Sequence, residues 1–183
     1  MENEFPKRKN LRLKQYDYNA KGAYFVTICI KDRQRILSDI TTSTPTELAD
    51  PLRAPGDALQ IRLTAIGSTV EKFLLSSENI RGVKIDRYVI MPDHIHAIVI
   101  LDPDEYIDQR NGSSRAPTPT NKMLPRVVSS FKRLCDRAIG SNIFQRGYYE
   151  HVIRDKEDYD AIVRYIYENP MRWYSERKGN ATP

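Results

Sequence analysis

Two apolar, β-rich runs separated by a two-residue break constrain the fold of this chain more than any other feature. Val83-Lys84-Ile85-Asp86-Arg87-Tyr88-Val89-Ile90-Met91 is followed by Pro92-Asp93 and then by His94-Ile95-His96-Ala97-Ile98-Val99-Ile100-Leu101. β-Branched and aromatic residues favour extended backbone and a Pro-Asp pair interrupts it, so the runs predict adjacent antiparallel strands. Ala23-Tyr24-Phe25-Val26-Thr27-Ile28-Cys29-Ile30, opened by Gly22, predicts another strand, and Tyr148 to Arg154 a short one.

Helical periodicity fills the intervals. Ile66, Val70, Phe73 and Leu74 recur at helical spacing within Thr64 to Ser77. From Leu124 to Ile139 the apolar positions Val127, Val128, Phe131, Leu134, Cys135 and Ala138 make one face, with Gly140 as a stop. The polar face of that helix carries Arg126, Lys132, Arg133 and Arg137. Asp155 can cap a last helix with the apolar line Ile162, Val163, Ile166 and with Pro170 near its end. The order strand, helix, strand, strand, helix, strand, helix is that of an α+β ferredoxin-like sandwich. In it an antiparallel sheet has helices on one face, here with an additional C-terminal helix carrying a tyrosine.

The 183 residues suit a single domain, and no internal repeat is present. Two Pro-, Ser- and Thr-rich stretches, at about 41–57 and 103–121, predict flexible insertions. The net charge of +5 permits a polyanionic partner without requiring one. Cys29 and Cys135 have no CxxC partner or Cys/His cluster nearby and are expected to be reduced packing residues of a cytoplasmic protein. Met1 to Asn10 is polar and lacks a signal-peptide core, and no run approaches membrane-spanning length, so no membrane partner is expected.

His94-Ile95-His96 carries the first chemistry. Side chains alternate along a strand, so the two imidazoles converge on one side while Ile95 packs on the other. Such a pair also suits the wet face of a half-exposed strand. Here, however, the chain has only three histidines and two of them share a face of an otherwise apolar run. Imidazole nitrogen ligates Mn²⁺, Zn²⁺ and, more weakly, Mg²⁺. A third ligand must come from elsewhere, with His151 and Asn169 the leading candidates and Glu150, Asp155 and Glu168 behind them.

The run Arg164-Tyr165-Ile166-Tyr167-Glu168-Asn169-Pro170 offers a nucleophile. On a helix Tyr165 and Asn169 share a face, whereas Tyr167 points about 200° away from Tyr165. A phenol attacks poorly unless assisted, and a cation on the phosphate oxygens supplies such help. With 11 tyrosines in the chain, spacing alone would not single one out.

Four stretches together resemble the HUH single-tyrosine transposases, and within them the REP-associated tyrosine transposases and their close relatives. They are Arg12-Leu13 with Tyr16-Asp17-Tyr18 and Gly22 to Cys29; Val89-Ile90-Met91-Pro92-Asp93-His94-Ile95-His96; Gln145-Arg146-Gly147-Tyr148-Tyr149-Glu150-His151-Val152-Ile153-Arg154; and Tyr165-Ile166-Tyr167-Glu168-Asn169-Pro170. Phe144 stands where the family often has Trp.

The resemblance implies a ferredoxin-like fold with the two histidines on a central strand. It also implies Tyr165 as the nucleophile and His94, His96 and Asn169 as ligands of a divalent metal, Mg²⁺ or Mn²⁺. The expected activity is cleavage and rejoining of single-stranded or hairpin DNA through a 5′-phosphotyrosine. Arg8, Arg12, Arg126, Lys132, Arg133, Arg137 and His151 are candidate DNA contacts. Rival readings are a catalytically idle hairpin-binding protein and a relaxase or replication-initiator nuclease. Relatives include monomers and homodimers, which leaves the oligomeric state open.

Overall fold

The structure, a computed structural model, describes residues 17, 19–43, 58–106 and 119–179. Arg8 and Arg12 lie outside the described residues, as do 44–57 and 107–118 of the two expected insertions. The elements are β1 (Gly22–Cys29), β2 (Ser38–Ser43), β3 (Ala58–Leu63), α1 (Ala65–Ser76), β4 (Val83–Ile90), β5 (His94–Leu101), α2 (Thr120–Ile139), β6 (Tyr149–Ile153) and α3 (Lys156–Gly179).

The main sheet has the order β4-β5-β1-β6 with every pair antiparallel, and β2 and β3 form a separate hairpin. Taken without the hairpin, β1-α1-β4-β5-α2-β6 is the ferredoxin-like order the sequence predicts. One sheet face presents Tyr24, Val26, Ile28, Ile95, Ala97, Val99 and Leu101 to a core shared with Val70 and Leu74 of α1 and with Val127, Phe131 and Cys135 of α2. The opposite face presents Phe25, Val89, Ile98 and Ile153 to Ile162, Val163 and Ile166 of α3, with Ile40 and Leu59 of the hairpin closing the far side. A bulge between Ile85 and Arg87 reverses the facing of β4. Val83 and Ile85 before it, and Ile90 after it, all reach the first core.

The sequence reading and the structure differ in four places. Thr41 to Ser43, expected in an insertion, are the end of a strand. The hairpin escaped detection because Ser38-Asp39-Ile40-Thr41-Thr42-Ser43 contributes one large apolar residue to packing, too few for a period to show. Helix α2 begins at Thr120 rather than Leu124; Thr120 is buried and accepts a 2.6 Å hydrogen bond from the Tyr24 hydroxyl. Leu134 and Ala138, expected on the apolar face of α2, are exposed. Helix α3 runs through Pro170 to Gly179. Proline forfeits one backbone hydrogen bond, and packing of Trp173 and Tyr174 beyond it holds the helix to the second core.

The entry to α1 is closely fitted to the segment before β2. Thr64 caps the helix by accepting from the Gly67 amide at 3.0 Å, and its hydroxyl donates to the Ile36 carbonyl at 2.6 Å. Gly67 lies so near Leu37 that a methyl group there would stand 1.9 Å from the Leu37 carbonyl oxygen. Gly67→Ala is therefore expected to lower the unfolding free energy by about 3 kcal/mol through overpacking. Urea denaturation beside the parent protein measures it, and an unchanged midpoint would show that this backbone contact can relax.

Candidate active site

Between the α3 face of the sheet and α3 itself lies a cleft of about 880 Å³. Phe25, Thr27 and Cys29 of β1, His94 and His96 of β5, and Tyr149 and His151 of β6 form its floor. Tyr165, Asn169, Arg172 and Trp173 of α3 form its wall, and Arg33 stands at its rim. Strand pairing places Thr27 beside both His96 and Tyr149, and Cys29 beside His94. Cys135 is buried in the core and its thiol is pushed up to about 12 by burial, as a packing residue requires, but Cys29 is only half-buried and lines the cleft. The expectation that both cysteines serve packing holds for Cys135 alone.

The histidine pair is buried and held from behind. His94 Nδ1 donates to the Asp93 carboxylate at 2.5 Å, and His96 Nδ1 and the Thr27 hydroxyl share a hydrogen bond of 2.9 Å. With each Nδ1 engaged from behind, the two Nε2 atoms turn toward one another, 3.0 Å apart. In the tautomer that carries its proton on Nδ1, each Nε2 offers a lone pair that a shared cation could accept. Both Nε2 atoms thus lie close enough together to ligate one ion. Burial, then the neighbouring His94 and Arg33, lowers the His96 pKa to about 3, with Asp93 opposing. His96 is thus neutral, the form that ligates. Among the described residues no three His, Cys, Asp or Glu side chains gather as a metal group. Asn169, a buried amide, lines the same cleft as the histidine pair. The donor set therefore fits a divalent cation.

Tyr165 stands over this pair. Its ring meets His96 at 5.2 Å between centroids and meets Phe25 edge-on at 5.9 Å, while Phe25 stacks on His96 at 5.2 Å. The Arg172 guanidinium lies 5.9 Å from the Tyr165 ring centroid. Tyr165 is 38% exposed, sheltered at the ring yet open to a substrate. Tyr167 is 86% exposed and lines a different groove with Ile61, Glu168 and Met171. The helical-face argument thus separates the two tyrosines as the sequence predicts.

The remaining ligand candidates lie elsewhere. Asp155 caps α3 by accepting from the Asp158 amide at 2.8 Å, and Glu168 pairs with Arg172 at 2.8 Å. Glu150 bonds Tyr148, whose phenol is pushed up by burial and by that carboxylate. His151 does line the cleft, but its Nε2 is held by both Asp158 oxygens, at 2.9 and 3.1 Å.

Several cleft residues escaped sequence reading. Asp93 and Thr27 support the imidazoles; Asp93 directly precedes the histidine pair, and Thr27 is the polar member of the β1 face that also carries Phe25 and Cys29. Arg33 approaches Asp93 at 3.7 Å from a turn in which Asp32 and Arg33 have φ values of 53° and 52°. Two consecutive non-glycine residues in the left-handed region are costly; aspartate is among the types that tolerate it, and arginine gives no such signal.

The basic residues of α2 occupy the other side of the sheet. Arg133 and Arg137 line a second cleft with Lys132, Ser129, Asn142 and Arg146. Lys132 donates to the Gln145 and Gly147 carbonyls at 2.8 and 2.7 Å and lies 5.9 Å from the Phe144 and Tyr148 ring centroids. Burial lowers its pKa. The ammonium thereby fastens the segment that leads into Tyr149 and His151.

Comparison with known proteins found no matching family model. An uncharacterised protein of Haemophilus influenzae is 30% identical over 93% of this chain and 92% of its own length. A protein of the same organism described as a putative REP-associated tyrosine transposase is 28% identical over 85% of this chain and 74% of its own length. Among solved structures, a REP-associated tyrosine transposase bound to a REP hairpin superposes with a TM-score of 0.53, covering 88% of this chain and 73% of that one at 24% identity. That superposition agrees with the fold described above.

Lys132→Met keeps the stem over the aromatic rings and removes both hydrogen bonds. Stability should fall by about 1–3 kcal/mol, and amide exchange across residues 145–148 should quicken. Exchange rates equal to those of the parent would show that the segment holds itself.

Proposed function

We propose that this chain, which belongs to the family of REP-associated tyrosine transposases, cuts and rejoins single-stranded DNA beside a hairpin through a 5′-phosphotyrosine on Tyr165. The observation that carries the proposal is a single tyrosine ring packed on a buried, doubly supported imidazole pair whose Nε2 atoms are 3.0 Å apart.

His94, His96 and Asn169 would hold Mg²⁺ or Mn²⁺, which when bound polarises a phosphodiester and offsets its developing charge. The chain's own groups do the rest. Phe25 and His96 fix the Tyr165 ring from two sides, limiting the directions in which its hydroxyl can lie. Arg33 and Arg172, both lining the cleft, favour an approaching phosphate. The Tyr165 oxygen bonds phosphorus as the bond to the 3′-oxygen breaks, so the phosphodiester energy is kept in the tyrosyl ester. Rejoining reverses the step with another 3′-hydroxyl, and no nucleotide need be hydrolysed. Arg126, Arg133 and Arg137 on α2, with Arg8 and Arg12, are proposed contacts for the DNA backbone, which carries most of the affinity of such complexes.

The direct test is a denaturing gel with labelled single-stranded DNA from the flanks of the gene, run with Mn²⁺. Tyr165→Phe removes a hydroxyl and keeps the ring, so the covalent adduct should vanish with folding intact, whereas Tyr167→Phe should retain it. An adduct that survives the first change and not the second would assign the chemistry to the other helix face. The support behind the imidazoles can be tested separately. Thr27→Val leaves His96 without its partner and should weaken Mn²⁺ binding, followed by calorimetry, about 10- to 100-fold. Equal affinity in variant and parent would remove Thr27 from the account.

A further inference from the structure

Resting on that reading, we propose that Arg33 grips the backbone phosphate next to the scissile one on its 5′ side, and so fixes the direction in which the strand crosses the cleft. The cleft residues fall in a line along β1 and β5. Strand pairing sets Phe25 opposite Ile98, Thr27 opposite His96 and Cys29 opposite His94. The Tyr165 ring rests at the Phe25 end of this line, against Phe25 and His96. His94 comes next, two residues and about 6–7 Å further along the strand. Asp93 lies beyond His94 and is bonded to it, and Arg33, in the turn that follows β1, closes the line 3.7 Å from Asp93. Tyrosine and guanidinium therefore stand on opposite sides of the imidazole pair.

That placement sets a polarity. An in-line displacement puts attacking and leaving oxygens on opposite sides of phosphorus. With the phosphate at the imidazole pair and the Tyr165 oxygen approaching from the Phe25 end, the departing 3′-oxygen points toward His94 and Asp93. The nucleotide that carries it, and the phosphate on that nucleotide's own 5′ side, then lie toward Arg33. The downstream strand stays joined through the 5′-oxygen, which is off the line of displacement and leads elsewhere. Arg172, whose guanidinium lies 5.9 Å from the Tyr165 ring centroid, belongs to the nucleophile's side.

Arg33 has a fixed base and an open head. Its side chain is 56% exposed at the cleft rim, and its ion pair with Asp93 is long, because Asp93 is already bonded to His94. Guanidinium donors therefore remain for a phosphate, which the planar fork can bind through two hydrogen bonds. The backbone beneath it is strained, with Asp32 and Arg33 both in the left-handed region, and it is tied down on each side. The Ile30 amide donates to the Asp93 carbonyl at 2.9 Å, the Lys31 amide to the Ile143 carbonyl at 2.8 Å, and the Arg33 amide to the Ile30 carbonyl at 3.2 Å. Strain of this kind persists where surrounding structure enforces it, and it gathers at ligand clamps.

The alternative is that Arg33 only braces Asp93 behind His94. Replacing one phosphate of the single-stranded DNA by a neutral methylphosphonate separates the two. The strands compared are unmodified, neutral at the first phosphate upstream of the cleavage site, and neutral at the first phosphate downstream. Adduct formation is timed with Mn²⁺ at subsaturating DNA. In the parent protein, upstream neutralisation should slow it about 10- to 100-fold. Arg33→Gln should lose a similar factor on the unmodified strand and little more when the upstream phosphate is neutral, because the two changes remove one contact. Downstream neutralisation should slow parent and variant by the same factor. Arg33→Lys, which keeps the charge without the fork, should fall between parent and Arg33→Gln. A parent indifferent to upstream neutralisation, upstream losses that multiply in Arg33→Gln, or a shared loss at the downstream phosphate instead would each overturn the proposal. A parent protein that forms no adduct on the unmodified strand would overturn the phosphotyrosine reading, and this proposal with it.

Discussion

A strand inside a sheet offers alternate side chains to two separate layers, and β5 must satisfy both. Ile95, Ala97, Val99 and Leu101 seal the core beneath α1 and α2, while His94, His96 and Ile98 face α3. β1 and β4 hydrogen-bond it on either side, so the strand cannot slip by one residue without exchanging imidazole for isoleucine along its whole length. The apolar half of β5 thereby fixes the polar half. The same pairing that closes the core aims the imidazoles.

Burying two imidazoles is costly unless their nitrogens find partners. Thr27 and Asp93 supply one partner each from the adjoining strand end and turn, and both supporting groups lie at the end of the sheet where the cleft opens. The low pKa of His96 follows from this enclosure. Arg33 adds positive potential at the rim from a backbone conformation that side chains seldom adopt, which explains how so exposed a residue can approach Asp93. Across the sheet Lys132 serves the same end in another way. It turns a charge that belongs by composition to a basic helix face into a clasp on the segment leading to β6.

The parts of this architecture visible in sequence are those governed by short periods. Alternation over His94 to Leu101 gave the shared face of the histidines, and the helical repeat put Tyr165 with Asn169 and apart from Tyr167. Partners distant in sequence were not visible: Thr27 for His96, and Asp86 for Tyr159, the latter joined by a 2.5 Å hydrogen bond across 73 residues. Such pairs depend on which elements adjoin in the fold, and residue type alone does not encode that. Pro170 misled in the opposite direction, since its local cost to a helix is real and the rings of Trp173 and Tyr174 outweigh it only once the fold has formed.

The arrangement of α3 constrains how genes of this kind can change. Tyr165, Asn169 and Arg172 reach the cleft because they share one side of an unbroken helix, whose first turn is pinned by Asp155 and Asp158. Inserting or deleting a single residue between that pinned turn and Tyr165 would rotate everything after it by about 100°. Tyrosine and amide would leave the cleft wall together, and the apolar line of Ile162, Val163 and Ile166 would break with them. Length changes that keep this helix face intact are therefore confined to segments outside that interval.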